Sequence, residues 1–240
     1  MFFCDKTIYT IGYANKSIDE FVLCLKKHGI KYVLDVRSEP YSKRFPDYNQ
    51  VILSTTLSKH GIRYVWFGDY FGARRDEDEV YIDSYSLDGR FRKQVSFQNV
   101  YSTDFFARGV NRIKKALDKN IKVCFMCSER EPVDCHRFWM VAFYFKFATG
   151  MVDEVVNIID ENCIKSFEQV INEIDLEKIK KAFYKQHTYE IEGYSLLGEN
   201  RPLWIEWWSN FFGGTKNVTL KKQEYANCLI GYVRGDEEYD

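Results

Sequence analysis

Strand patterns and helix patterns alternate along the first half of the chain, and this alternation constrains the fold more than any other feature. The strand patterns are short β-branched or apolar runs at residues 7–12, 32–36, 62–67 and 121–126. The helix patterns lie at residues 17–29, 49–60, 105–119 and 135–147. Parallel strands need crossover connections, which are usually helices. We therefore predict an α/β fold with a mostly parallel sheet and helices on both faces.

The first helix carries explicit start and stop signals. Ser17 is a good N-cap residue, and Glu20 stands three positions later, which is the spacing of a capping box. The run Lys26-Lys27-His28-Gly29 places basic residues and then a glycine where a helix ends.

The second half of the chain has weaker patterns. Residues 152–159 suit one more strand and residues 176–184 suit a helix. From about residue 190 the composition shifts to a cluster of Trp204, Trp207 and Trp208. Such a cluster either binds a partner or packs back on the main domain. We predict an α/β domain over residues 1–188 and a Trp-rich C-terminal appendage over residues 189–240.

The stretch 68–100 is long, has weak periodicity and is rich in Tyr, Asp and Arg. Connections of this length inside a compact domain are usually functional or mobile. The alternative is a partly helical insertion with a solvated face.

Composition excludes several classes of protein. The chain has 240 residues, of which 45% are hydrophobic and 17% aromatic, so it is neither a disordered chain nor a small disulfide scaffold. Its longest apolar runs are far shorter than the roughly 20 residues that a membrane span needs. Residues 1–10 show no signal-peptide pattern, and the seven cysteines are irregularly spaced. We expect reduced thiols in a cytoplasmic protein that does not bind membranes.

The charge is unevenly distributed although the net charge is only −1. Residues 1–150 carry 24 basic and 18 acidic side chains, whereas residues 151–240 carry 10 and 17. A basic front half favours an anionic ligand there. Two oppositely charged halves that pack on each other would explain the same asymmetry.

The first candidate site follows the second strand. Period-two alternation places Asp35 and Arg37 on the same face of that strand, where Asp35 would orient the Arg37 guanidinium. The loop that follows adds three further candidate ligand-binding residues, which are Ser38, Lys43 and Arg44. Arginine matches the geometry of phosphate and carboxylate groups, so the pattern favours an anion clamp. The alternative is a structural Asp–Arg pair beside a solvated basic loop.

The second candidate site is the segment 127–137, which follows the fourth strand and precedes an apolar helix. Cys127 would be a nucleophile or a polarising group, and His136 or Glu129 would transfer protons. The residues that would bind an anion here are Ser128, Arg130 and Arg137.

Two other interpretations of this segment stay open. Cys127, Cys135 and His136 are ligands that zinc favours, but no Cys-x-x-Cys pair frames the loop except Cys124 and Cys127, which alternation places on opposite faces. Buried, inert cysteines beside a helix N-terminus capped by Asp134 are the structural alternative. We assign no metal and no cofactor from the sequence.

A third candidate segment is Gly12-Tyr13-Ala14-Asn15, which offers a glycine turn before a helix. It would form one wall of a cleft whose other walls are the two candidate sites above. It lacks the glycine-rich fingerprints of nucleotide-binding loops. Its position after the first strand matters because ligands of parallel sheets bind beyond the carboxyl ends of the strands.

These segments together resemble a known family. The chain resembles the domain of unknown function 488 family in three groups of motifs. They are Thr10-Ile11-Gly12-Tyr13 with Ser17-Ile18-Asp19-Glu20-Phe21, then Leu34-Asp35-Val36-Arg37-Ser38 with Pro40, and then Cys127-Ser128-Glu129 with Pro132 and Cys135-His136-Arg137. The motifs stand in the family's order over about residues 7–150. The resemblance implies a compact α/β domain in a cytoplasmic microbial protein, and it implies no activity.

Three functional hypotheses follow from the sequence. The leading one is an enzyme or binding protein for an anionic, phosphate-like or nucleotide-like small molecule, in a cleft formed by the loops after Gly12, Val36 and Met126. The second is a nucleic-acid-binding module that uses the basic front half and the Tyr- and Arg-rich residues 68–112. The third is a protein-interaction scaffold that uses the tryptophan cluster.

Overall fold

The computed structural model describes residues 6–85 and 91–173. The strands in chain order are β1 (Thr7–Gly12), β2 (Tyr32–Asp35), β3 (Arg63–Trp66), β4 (Tyr81–Tyr85), β5 (Phe91–Val95), β6 (Val123–Cys127), β7 (Glu154–Ile158) and β8 (Ile164–Ser166). The α-helices are α1 (Ile18–Lys27), α2 (Gln50–Lys59), α3 (Gly68–Phe71), α4 (Phe97–Tyr101), α5 (Asp104–Leu117) and α6 (Phe167–Asn172). Two π-helices follow β6, at Arg137–Ala142 and Tyr144–Ala148.

Six strands form one sheet in the order β3-β2-β6-β1-β7-β8. All neighbours pair in parallel except β7 and β8, which are antiparallel. The sheet confirms the mostly parallel α/β fold predicted from the alternating patterns. Because β6 lies between β1 and β2, the carboxyl ends of these three strands are adjacent.

The sheet separates two hydrophobic cores. Alternation along β6 places Val123, Phe125 and Cys127 in one core. Cys124 and Met126 lie in the other. The first core contains the buried faces of α5, α6 and the π-helices, and the second contains those of α1 and α2. Helices therefore cover both faces of the sheet. Odd-numbered side chains of β6 point to one face and even-numbered side chains to the other.

Local signals explain where α1 begins and ends. The Ser17 hydroxyl accepts a hydrogen bond from the Glu20 amide, and the Glu20 carboxylate accepts one from the Ser17 amide at 2.7 Å. Gly29 then adopts a φ of 65°, which favours glycine. The predicted capping box and stop are both present.

Two segments differ from the sequence-based expectation. The stretch 68–100 contains α3, the antiparallel hairpin β4–β5 and α4, so it is more regular than a long loop. The segment after Cys135 is helical as predicted, but its hydrogen bonds span five residues, as from the Phe143 amide to the Phe138 carbonyl. Single π-helical turns occur often at functional sites.

The predicted helix 176–184, the tryptophan cluster and the 188/189 boundary lie outside the described residues. Within residues 6–85 and 91–173, no helix is both long enough and apolar enough to span a membrane.

Candidate functional site

The three predicted walls of the cleft meet at the carboxyl edge of the sheet. Gly12 is in register with Cys127, and Asp35 is in register with Met126. Hydrogen bonds continue this pairing beyond the strands, since the Ala14 amide donates to the Ser128 carbonyl at 2.9 Å. The loops after β1, β2 and β6 therefore form one connected region.

Asp35 and Arg37 form a buried ion pair on the α1/α2 side of this region, as their spacing predicted. Arg37 Nη2 lies 2.6 Å from Asp35 Oδ2, and Nε donates to the same carboxylate. Nη2 also donates to the Tyr48 carbonyl, and Tyr64 donates its hydroxyl to Asp35 at 2.7 Å. Burial raises the pKa of Tyr64, and the Asp35 charge acts in the same direction. The Arg37 guanidinium is thus held largely by protein groups.

Aromatic rings enclose this ion pair. Tyr13 stacks on Tyr48 with ring centroids 4.2 Å apart, and its hydroxyl accepts a 3.3 Å hydrogen bond from Arg37. Phe45 packs edge-on against Tyr13, and the exposed Arg44 lies over the Phe45 ring. Lys43 is exposed beside it. The predicted basic loop therefore lies at the rim, whereas Arg37 lies in the interior.

The loop after β6 is held against β1 by very close backbone packing. A Cβ atom on Gly12 would lie 1.7 Å from the Glu129 carbonyl oxygen, so only glycine fits there. The Arg137 guanidinium also binds this loop, donating to the carbonyls of Glu129 at 2.6 Å and Arg130 at 2.9 Å. Arg137 is fully buried, so its two terminal nitrogens position the loop.

Two thiols and an imidazole converge beneath this loop. His136 Nδ1 lies 3.8 Å from Cys127 Sγ and 4.0 Å from Cys135 Sγ, while Nε2 lies 2.9 Å from the Val36 carbonyl oxygen. The exposed fractions of Cys127, Cys135 and His136 are only 2%, 0% and 3%. Burial raises the pKa of Cys135. The three groups form a compact cluster that solvent does not reach.

Glu129 lies next to this cluster. Its Oε1 accepts a hydrogen bond from the Ser128 hydroxyl at 3.0 Å, and its Oε2 is buried with no hydrogen-bond partner among the described residues. Burial alone would raise the pKa of Glu129, but interactions with Cys135 and His136 lower it overall. Glu129 therefore places an ionised carboxylate beside the thiol cluster.

Lys16 is a residue of this region that the sequence patterns did not predict. Its ammonium group is buried and donates to the Gly12 carbonyl at 2.9 Å. Among the described residues no carboxylate lies within ion-pair distance of it. Burial lowers the pKa of Lys16, and the charges of Arg137 and Arg130 act in the same direction. The only signal in the sequence is a lysine directly before the N-cap Ser17, where a basic residue opposes the helix dipole.

The predicted site residues thus fall into three groups. Nine meet at the adjacent ends of β1, β2 and β6, namely Gly12, Tyr13, Asp35, Arg37, Cys127, Ser128, Glu129, His136 and Arg137. The rim residues Lys43, Arg44 and Arg130 are exposed. Ser38 turns away, because its hydroxyl accepts a hydrogen bond from the Arg74 amide at 2.8 Å.

Ser38 lines a separate polar hollow at the same edge of the sheet. Its other walls are formed by the loop after β3 and by the start of α5. The charged residues of this hollow are Asp69, Arg74, Arg75, Asp76, Glu77, Glu79, Asp104 and Arg108. Acidic side chains outnumber basic ones, so the hollow does not favour an anion.

The comparison with protein families matches the part of the chain that contains two of the three loops of this region. Residues 17–144 match the family model described as Domain of unknown function DUF488. The chain belongs to the DUF488 family. The match lies within the range over which the sequence motifs resemble the family, and it includes the ends of β2 and β6. Comparisons with curated proteins and with solved structures gave no match.

Proposed function

We propose that this DUF488 protein binds an anionic small molecule, with a phosphate-like or nucleotide-like group, at the adjacent ends of β1, β2 and β6. One observation carries the proposal. Among the described residues, the charged residues that are buried as a whole are Lys16, Asp35, Arg37 and Arg137, and all four lie at this edge. Three of the four are cations and only one is an anion. The Arg75 side chain, which lies in the separate hollow, is also largely covered, but it is paired with Glu77.

Buried charge without compensation is costly, and it is kept mainly where it serves a function. Asp35 neutralises Arg37 by direct contact. Arg137 and Lys16 instead donate to carbonyl oxygens, which carry only partial charge. The half-buried Glu129 offsets part of this excess. A ligand with negative charge would offset the rest, and Arg130 at the rim would contact it first.

We propose binding rather than a covalent reaction at Cys127. A nucleophile must reach its substrate, and the Cys127 side chain lies in the hydrophobic core below the loop. The anion would instead meet Lys16, Arg130 and the polar groups of Ser128. The described cysteines are free thiols, which favours a reducing compartment, and we propose a cytoplasmic location.

The test is the thermal unfolding midpoint of the full chain in phosphate and in pyrophosphate, against chloride at the same ionic strength. A ligand present at 100 times its dissociation constant stabilises the native state by about 2.7 kcal/mol. We expect an anion-specific rise in the midpoint that the Lys16→Met variant loses, since methionine keeps the apolar stem and removes the charge.

Lys31→Met is the matched control. Lys31 is exposed and precedes β2, so it lies at the opposite edge of the sheet. This variant should keep the full response to pyrophosphate. A wild-type chain that responds equally to chloride and pyrophosphate, or a Lys16→Met variant that responds like wild type, would contradict the proposal.

A further inference from the structure

We infer that Cys127, Cys135 and His136 form a binding site for a zinc ion. The inference goes beyond anion binding and does not depend on it. The ligand atoms of the three residues all lie within 4.8 Å of one another. Cysteine and histidine together are the donor set that zinc prefers.

The distances are close to those of a tetrahedral site. With zinc bonds of about 2.3 Å to sulfur and about 2.0 Å to nitrogen, tetrahedral angles put a sulfur and a nitrogen about 3.5 Å apart. The two observed distances from His136 Nδ1 to sulfur are 3.8 and 4.0 Å. A movement of a few tenths of an ångström therefore brings the nitrogen and sulfur atoms to tetrahedral spacing. The two sulfur atoms, which lie within 4.8 Å of each other, need to approach to about 3.8 Å by rotation of the cysteine side chains.

The imidazole is oriented for ligation. A carbonyl oxygen can only accept a hydrogen bond, so the 2.9 Å contact with the Val36 carbonyl fixes the proton of neutral His136 on Nε2. Nδ1, which lies within 4.0 Å of both sulfur atoms, then carries the lone pair that a metal ion needs. Histidines that bind metals usually have their second nitrogen held by a carbonyl or a carboxylate in this way.

The backbone around the three ligands is held in place before any ion binds. Cys127 ends β6, and its carbonyl accepts a hydrogen bond from the Tyr13 amide at 3.2 Å. The one-turn helix Pro132–Asp134 leads directly into Cys135, whose carbonyl accepts from the Phe138 amide at 3.1 Å. Arg137 holds the loop between the two cysteines. This preorganisation lowers the entropy cost of bringing the ligands together.

Glu129 is the candidate for the fourth position, although its carboxylate would have to turn toward the three ligand atoms, because the close cluster among the described residues contains only Cys127, Cys135 and His136. Its Oε2 is buried and lacks a hydrogen-bond partner among the described residues, which is costly unless another group completes it. The charges would also balance. A zinc ion with two thiolates is neutral, and the Glu129 carboxylate offsets the buried Arg137 guanidinium.

The decisive measurement is the zinc content of the full chain. The protein is kept reduced with a phosphine, stripped with a chelator, reloaded with zinc, desalted and measured by plasma mass spectrometry. The described site predicts about one zinc ion per wild-type chain. Cys127→Ser and Cys135→Ser should each lower this content at least tenfold, and Glu129→Gln should weaken retention in competition with a chelator.

Cys124→Ser is the matched control. Cys124 is equally buried and lies on the same strand, but it belongs to the opposite core, so this variant should keep its zinc. Lys16→Met should also keep it, which separates this inference from the proposed anion site. Zinc content that is unchanged in Cys127→Ser and Cys135→Ser, or absent from wild type, would overturn the inference.

A second measurement covers the case in which the serine variants fail to fold. Wild-type protein stripped of metal is titrated with Co²⁺, whose bonds to thiolates give strong near-ultraviolet charge-transfer absorption. Saturation at one ion per chain, with competition by zinc, supports the site. A spectrum without the charge-transfer band would overturn it.

Discussion

Gly12 shows how one residue joins two loops of the site. The Glu129 carbonyl oxygen occupies the space where a Cβ would lie, and the Arg130 carbonyl oxygen is 3.0 Å from the same point. Gly12→Ala must therefore push the loop after β6 away from β1. We expect a loss of roughly 3 kcal/mol in the free energy of unfolding, which is typical of severe overpacking, measured by urea denaturation.

Gly61→Ala separates this steric effect from the general cost of replacing glycine. Gly61 has a φ of 69° and no atom within 4 Å of an added Cβ. Its replacement should lower the free energy of unfolding by only about 1 kcal/mol, which is the typical strain of a residue with a Cβ atom in the left-handed region. Similar losses for the two variants would mean that the loop moves freely away from Gly12.

Residues of the site differ in how far the sequence predicts their roles. The Asp35–Arg37 pair follows from strand alternation alone, and the structure places the two groups in contact. The sequence also predicted Arg137 as a residue of the site. Its hydrogen-bond partners are main-chain carbonyls, which no pattern of residue types reveals. The burial of Lys16 depends likewise on the loop packed over it.

At the scale of elements, the two capping boxes allow a test by pH. Ser17→Ala removes the hydroxyl that caps α1, and replacing an N-cap serine by alanine typically costs about 1 kcal/mol at neutral pH. Hydrogen bonds from Ser17 hold the pKa of Glu20 below its ordinary value. A carboxyl with a lowered pKa stabilises the native state above its ordinary pKa, and this contribution disappears as the pH falls through the folded value.

The destabilisation by Ser17→Ala should therefore shrink between pH 7 and about pH 3, as protonation of Glu20 weakens the box in wild type. Ser166→Ala is the control, because the box of α6 uses Gln169, which does not titrate. Its cost should stay constant over the same range. Urea denaturation at several pH values measures both, and parallel curves would show that Glu20 does not contribute.

The secondary-structure elements were predictable where the residue types and the hydrophobic periodicity indicate the same structure. Short apolar or β-branched runs predicted β1, β2, β3 and β6. Strands inside a parallel sheet need such runs because helices cover both of their faces, and the half-buried edge strand β3 has one as well. Alternation is weak in the hairpin β4–β5, so the stretch around it resembled a loop. The π-helices have the apolar content of an α-helix, and their wider hydrogen bonding leaves no separate signal in composition.

At the scale of the whole molecule, the order of the elements determines where the site lies. The chain returns from β3 through the hairpin and α5 and then inserts β6 between β1 and β2. This insertion brings the segment 127–137 beside Gly12 and Asp35. The sequence patterns predict parallel strands but not the order of the strands in the sheet. Whether these loops are adjacent depends on that order, so the sequence alone could not establish it.

The same topology predicts what the chain needs for stability. Every strand of the six-stranded sheet lies between residues 7 and 166, and α6 ends at Asn172. We therefore expect a chain ending at residue 188 to unfold in urea within about 1 kcal/mol of the full chain, as for changes away from a core.

A chain ending at residue 160 is the contrasting variant, because it removes β8 and the buried side chains of Phe167, Val170 and Ile171. Full burial of one such side chain is worth about 1.5–3 kcal/mol, so this variant should lose most of its stability. If the chain ending at residue 188 is destabilised as much, residues 189–240 pack on the α/β domain and form part of its core. Retained stability would instead free the tryptophan cluster for a separate role, since the sheet and both of its cores would be complete without it.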